Sequence, residues 1–272
     1  MHKRSFLVLT ASFVLGSLVS ASFALADEAD TFPLRKTFPE IKVIETADLA
    51  SKMNEHVVVD VRSPFEYSIM HIQGAVNLPL SDKKFVDSAK SAAADSGKVL
   101  VFYCNGHRCA KAYQAAMAMT KAGSAKVLAY DGGISDWAKM NPQLTLLLDK
   151  PLDPKSLIGD AQFKAHALSP KDFMSKAQAQ SAALVVDVRD SFQVEGVSLF
   201  PGRETRTGLD IAKLKKQISA AKDASQPIYF YDATGLQVKP LQYLLEDQGI
   251  AEYYFLEGGI AAYFDMLSGK TK

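Results

Sequence analysis

The sequence predicts an α/β protein built from two tandem copies of one unit, and three observations predict it. First, blocks recur in order. "VVVDVRSPFEY" at 57–67 returns as "LVVDVRDSFQV" at 184–194, "VLVFYC" at 99–104 as "PIYFYD" at 227–232, and "YDGGISDWAKM" at 130–140 as "LEGGIAAYFDM" at 256–266. The offsets of 127, 128 and 126 residues agree too closely for chance, so the chain is a duplication. Second, short β-rich runs such as "HVVVDV" and "KVLVFYC" end in polar residues, as buried parallel strands do. Third, helical segments alternate with these runs, so each unit reads as a mainly parallel central sheet flanked by helices.

The elements follow in chain order. "MHKR", then the apolar "SFLVLTASFVLGSLVSASF", then "ALA" before "DEAD" reads as a signal peptide over residues 1–26, cut after Ala26. The apolar run is short for a membrane span, and no later segment has the length and apolarity of one. The first unit is read over 38–146. In it "CAKAYQAAMAMTKAG" is an alanine-rich helix closed by glycine, and "AKVLAYDGG" is a strand leading into a glycine turn. Residues 147–163 are read as the linker, because "NPQLTLLLDKPLDPKSLIGD" at 141–160 carries three prolines and no clear periodicity. The second unit is read over 164–270. It opens with "SPKDFMSKAQ", a helix with a serine cap and proline at its first position, and "PIYFYD", "KPLQYLLEDQG" and "AEYYFLEGG" repeat the strand–helix–strand order.

Charge and cysteine content narrow the function. The whole chain has 31 basic and 30 acidic residues. Losing Lys3 and Arg4 with the leader leaves 29 against 30, a formal charge of −1. A near-neutral chain makes no electrostatic case for nucleic acid or a membrane surface. Two cysteines over this length are not a disulfide framework. Export would place the protein in the periplasm, an oxidising compartment where a close pair such as Cys104 and Cys109 needs a redox account.

Both cysteines lie in "VLVFYCNGHRCAKAY". A strand ending in cysteine, a tight loop and a following helix aim several backbone N–H groups at one point, a nest that favours an anion. A cysteine sulfur at its centre has a stabilised thiolate. Asn105 and Gly106 suit loop positions whose backbone lines the cradle. Arg108 and a protonated His107 suit an anionic substrate, with exposed polar loop residues as the plainer alternative. Lys111 reads as solvated. Cys-x4-Cys with His107 is poor zinc spacing, and neither a metal nor a cofactor is expected.

These residues also carry a resemblance. "DVRSPFEYSIMHIQGAVNLP", with Asp-x-Arg after a strand and a His-Ile-x-Gly-Ala-x-Asn-x-Pro segment, "YC" entering a short loop, and "GG" followed by Trp137 resemble the signatures of the rhodanese-like sulfurtransferases. The resemblance spans nearly all of the chain after the leader, as two tandem modules. It implies a two-step covalent scheme: Cys104 takes the outer sulfur of thiosulfate or a persulfide, and cyanide or a thiol then removes it. Its expected partners are small sulfur-containing anions and a thiol protein acting as acceptor or reductant. It further implies that Asp60 pairs with Arg62 to hold the site's loops, as Asp187 would with Arg189. His71 and Trp137 read as structural.

The loop departs from the family. Many members read Cys-x-x-Gly-x-Arg-Ser, whereas here glycine is second after the cysteine, arginine fourth and Cys109 fifth. Related phosphatases need arginine sixth, where this chain has Ala110. Three readings of Cys109 stay open: an inert helix-start residue, a resolving thiol, or the partner of a resting disulfide. A thiol-redox protein and a non-enzymatic binding module therefore stand beside sulfur transfer. In the second unit Asp232 replaces the cysteine and "HIQGAVNLP" is eroded to "EGVSLFPGRETRTG". That copy reads as catalytically silent, its Asp232 repelling anions and its Arg203 and Arg206 lying in a solvated loop.

Overall fold

Strands β1 (His56–Asp60), β2 (Met70–Ile72), β3 (Val76–Asn77), β4 (Val99–Tyr103) and β5 (Val127–Tyr130) form the framework of the first unit in this computed structural model, which describes residues 31–94, 97–189 and 198–270. The expected leader over residues 1–26 lies outside the described residues. The main sheet runs β3-β1-β4-β5 with every pairing parallel, Val59 opposite Phe102 and Asp60 opposite Tyr103. A parallel bridge between Val43 and Ala129 extends its far edge. Alternation along the strands feeds two faces. Val59, Leu100 and Phe102 pack on Ala112, Ala115, Ala116 and Met119 of the helix Lys111–Lys121. Val58, Val101 and Tyr103 belong to the opposite cluster with Ile134 and Trp137. The alanines are fully covered and bring the helix close to the sheet.

That helix starts later than its alanine pattern suggests. Cys109 and Ala110 stay outside it, because the Cys109 N–H bonds back to the Gly106 carbonyl (2.9 Å) and its sulfur is tied to Cys104.

The segment read as a linker has structure of its own. Strands β6 (Thr145–Leu147) and β7 (Lys150–Pro151) form a hairpin, and β6 pairs antiparallel with β2 in a small third sheet. The turn is Leu148–Asp149, both at positive φ (50° and 63°), which suits a two-residue hairpin. Neither is the Asn or Gly that advertises such a turn, so periodicity and turn chemistry both missed it.

The second unit repeats the first. Strands β8 (Ala167–Leu168), β9 (Leu184–Asp187), β10 (Glu204–Arg206), β11 (Ile228–Tyr231) and β12 (Tyr253–Leu256) run β10-β9-β11-β12-β8, again all parallel. The helix Pro170–Ala179 has its expected start, with Ser169 accepting from the Asp172 N–H and Pro170 at the first position. Phe65, Ile69 and Trp137 of the first unit share one apolar cluster with Leu241, Leu244 and Leu245 of the second, so the units bury surface against each other. Cys104 follows β4 and Asp232 follows β11, at equivalent sheet ends. Among the described residues no helix is long and apolar enough to cross a membrane.

Candidate active site

The first unit's site is built on the end of β4. The strand delivers Cys104, which is 2% exposed, and the chain turns through Asn105–Ala110 before the next helix begins. Cys104 and Cys109 form a disulfide with their Cα atoms 6.2 Å apart, and no cysteine is free. That separation lies within ordinary disulfide reach. Of the three readings of Cys109, the inert helix-start residue is thereby corrected: Cys109 precedes the helix and is bonded to Cys104.

Backbone and side chains pin the loop from two directions. From one side, the helix Gly133–Met140 presents its free N-terminal donors. The Ile134 N–H donates to the Cys104 carbonyl (2.9 Å), and Asn105 O accepts from the Ser135 N–H (3.2 Å) and Oγ (2.6 Å). Gly133 (φ +58°) is required here, since a Cβ would lie 2.5 Å from Gly106 N and 2.6 Å from Cys104 O.

From the other side comes a buried chain of charges. Arg62 Nε donates to Asp60 (2.9 Å), Nη2 to the Met70 carbonyl (2.6 Å), and Nη1 to Asn105 Oδ1 (3.3 Å). Asn105 Nδ2 in turn donates to Glu66 Oε1 (2.9 Å). Burial disfavours the Arg62 charge, but Asp60 outweighs it and drives the guanidinium pKa upward. Burial also opposes the Glu66 charge. The Arg62 cation and hydrogen bonds from Asn105 and Ser63 prevail, holding that carboxyl below its ordinary value.

The remaining loop residues separate. His107 Nε2–H donates to Asp136 Oδ2 (2.6 Å), and its ring packs on Phe32 with centroids 4.2 Å apart. Phe32 also lies under Arg35, which pairs with Asp131 and Glu45. Arg108 and Lys111 are exposed. Outside the loop, His71 is buried, bonded through Nδ1 to the Tyr67 carbonyl and stacked on Tyr67. Trp137 is fully buried, its indole N–H donating to Leu144 O.

The second copy keeps the scaffold and changes the occupant. Arg189 pairs with Asp187 as Arg62 does with Asp60, the Ile260 N–H donates to Asp232 O (2.9 Å), and Gly259 (φ +61°) sits where a Cβ would be 2.6 Å from Ala233 C. Asp232 is fully buried, and its carboxylate accepts from the backbone N–H groups of Thr234, Gly235, Gln237 and Val238. Burial raises its pKa while those four bonds pull the other way. The expectation that Asp232 repels anions thus takes a more definite form: its side chain fills the cradle itself. Counting from Cys104, the equivalent positions in the first copy are Gly106, His107, Cys109 and Ala110, of which the Cys109 N–H instead donates to the Gly106 carbonyl (2.9 Å).

Arg203 and Arg206 are both exposed, Arg203 in a turn as read, and each also has protein partners. Arg203 bonds the Ala177 and Gln180 carbonyls near the end of helix Pro170–Ala179, and Arg206 lies in β10, paired with Glu204 and 3.5 Å from Asp187. Apart from Glu204, two residues from Arg206, these partners are distant in sequence, so spacing did not reveal them.

Sequence reasoning missed Glu66, Ser135, Asp136 and Phe32. The block comparison held a signal for two of them, since Ser135 and Asp136 become Ala261 and Ala262 in the second copy. Glu66 was legible as the partner of Ser63 in a capping box, but not as a support for Asn105. Nothing in the sequence marks Phe32.

A family model described as Rhodanese-like domain matches residues 45–140 and 169–265, more than half of the chain. The chain therefore belongs to the rhodanese-like family, twice over. It is 35% identical over 91 residues to thiosulfate:glutathione sulfurtransferase of Saccharomyces cerevisiae, covering 30% of this chain and 63% of that one. It is 38% identical over 50 residues to thiosulfate sulfurtransferase PspE of Escherichia coli, covering 18% of this chain and 46% of that one. The matched regions thus span less than two thirds of these relatives. A crystal structure of thiosulfate sulfurtransferase from Pseudomonas aeruginosa aligns at TM-score 0.38 and 20% identity, covering 84% of this chain and 43% of that one.

Proposed function

We propose that the protein is a sulfurtransferase. Once the Cys104–Cys109 disulfide is reduced, Cys104 attacks the outer sulfur of a donor such as thiosulfate or a persulfide. The donor's S–S bond breaks, releasing sulfite or the donor thiolate, and the sulfur stays on Cys104 as a persulfide until a thiol or cyanide takes it. One observation carries this reading: the loop that holds the Asp232 carboxylate with backbone N–H groups has its counterpart after β4 with Cys104 at the carboxylate's position, where an anionic sulfur would face the N–H groups of Gly106, His107 and Ala110. Membership of the rhodanese-like family and the names of the sulfurtransferase relatives support it.

In this reading Asn105, Gly106, His107, Arg108 and Cys109 surround the substrate, while Asp60 and Arg62 hold the loop. The second unit is catalytically silent, because Asp232 offers no sulfur nucleophile and occupies its own cradle. The leader pattern over residues 1–26 supports export to the periplasm, which the N-terminal sequence of the exported protein would test.

The decisive measurement is the intact mass of the reduced Cys109→Ser protein, in which no second cysteine can displace the bound sulfur, after incubation with thiosulfate or a low-molecular-weight persulfide. The expected result is the added mass of one sulfur atom, lost when Cys104→Ser is added to that variant and retained when Asp232→Ala is added. No adduct with any of these donors overturns the reading. The disulfide itself favours a second reading, a thiol-redox protein that cycles the Cys104–Cys109 pair without carrying sulfur; reversible disulfide exchange in the wild type with no sulfur adduct on Cys109→Ser and no sulfide released would select it.

A further inference from the structure

We propose that Cys109 is the resolving thiol of the reaction, so that this protein reduces sulfane sulfur to sulfide at the expense of a dithiol. The proposal rests on the Cys104 persulfide reading and names its acceptor. Two observations carry it: the two sulfurs are within bonding distance of each other, and they differ in burial. Cys104 is 2% exposed, whereas Cys109 is half-buried at the outer end of the loop.

A persulfide on Cys104 would sit at the floor of a pinned loop, with little surface for an external acceptor. Cys109 needs no diffusion to reach it. Reacting groups held in one loop gain the advantage of an intramolecular step over any acceptor arriving from solution. In the second copy Gln237 stands at the position of Cys109 and Asp232 at that of Cys104, so both sulfurs are confined to the copy whose loop holds no carboxylate of its own.

The steps balance. The Cys104 thiolate attacks the outer sulfur of thiosulfate, forming an S–S bond and releasing sulfite. The Cys109 thiolate then attacks the Cys104 Sγ, forming the Cys104–Cys109 bond and expelling hydrosulfide. The transferred sulfur gains two electrons and the two cysteines lose two. A dithiol reductant restores them. Its first thiolate attacks Cys109, the more accessible sulfur, and displaces Cys104 as thiolate into the N–H cradle, where it is the better leaving group. The reductant's second thiol then releases Cys109 as a free thiol and leaves the reductant as a disulfide.

The test is a single turnover. The reduced protein, freed of reductant, is mixed with thiosulfate, and sulfide and intact mass are followed together. The wild type is expected to release one equivalent of sulfide per chain and to end as the intrachain disulfide, at a rate independent of protein concentration. Cys109→Ser and Cys109→Ala are expected to keep the extra sulfur and release sulfide only when an external thiol is added. A wild type that holds its persulfide with Cys109 free overturns the proposal while leaving sulfur transfer standing. If neither the wild type nor the Cys109 variants acquire sulfur, the persulfide reading fails and this proposal with it. The wild-type arm needs no variant, so it decides the matter even if a substitution disturbs folding.

Discussion

The loops after β4 and after β11 are one device put to two uses. Each leaves a parallel strand and is pinned by the N-terminus of a later helix through an isoleucine N–H, Ile134 or Ile260, and in each copy a buried Asp–Arg pair ends the neighbouring strand, Arg62 reaching Asn105 of the first loop. Each also passes over a glycine at positive φ that leaves no room for a Cβ. Around Asp232 the loop closes on its own carboxylate and is complete. Around Cys104 the same loop carries a disulfide and draws in polar partners absent from the other copy: Ser135 on Asn105 and Asp136 on His107. The scaffold is thus a stable anion cradle in its own right, and chemistry depends on what stands at its centre.

The glycines give the strongest way to break this comparison. In Gly133→Ala the new Cβ would strike backbone atoms of Gly106 and Asn105 and force an alanine to φ +58°. Strain and overpacking together should cost about 2–6 kcal/mol, with sulfur transfer lost. Gly259→Ala should destabilise comparably yet leave transfer intact. Thermal melts read beside turnover check both, and lost activity in Gly259→Ala would mean that the copies are functionally coupled.

Asp232→Ala sharpens the comparison from the second copy. It empties a cradle of four backbone donors and should cost about 1–3 kcal/mol. Turnover should be unchanged, and millimolar sulfate or thiosulfate should recover part of the lost melting temperature. Absence of any anion effect would show that the second loop is a cradle only while its own carboxylate holds it.

Glu66 gives a pH signature peculiar to the first copy. Its pKa in the folded protein lies below the unfolded value, because Arg62, Asn105 and Ser63 favour the charged form over the opposing effect of burial. Its stabilisation is therefore complete above the ordinary glutamate range near ~4.3 and is lost as pH falls through the lowered folded value. Glu66→Gln should lower stability by about 1 kcal/mol at neutral pH and flatten the acid limb of the stability–pH curve. An unchanged acid limb would remove Glu66 from the chain of groups that holds Asn105.

The smallest effect is expected for Asp136→Ala, which installs the second copy's residue beside His107. This partly exposed pair should be worth about 0.2–1 kcal/mol in stability. Turnover should fall by a few fold if His107 must be held against the loop. Unchanged kinetics would make the pair a surface contact only.

How much of this was legible in advance differs by element. The duplication, the parallel strands and the place of Cys104 could be read because each is written in local pattern: repeated blocks, β-rich runs, a cysteine at a strand end. The Ser169 cap and the Asp60–Arg62 pair were likewise legible, one from capping chemistry and one from family resemblance. The β6–β7 hairpin was not, since Leu148–Asp149 carries no turn signal. Nor were Phe32 against His107 or Glu66 against Asn105, because those partners meet across 75 and 39 positions of chain.

By itself, then, the sequence determined that the protein is a doubled α/β module with one sulfur-bearing loop and one aspartate-bearing loop, because periodicity and residue identity are properties of short windows. Only the tertiary structure decided what those loops do with their charges. The closure of Cys104 on Cys109 and the capture of the Asp232 carboxylate by four backbone donors depend on where the chain's own N–H groups point, and that direction is set by the glycine turns and helix ends packed behind each loop.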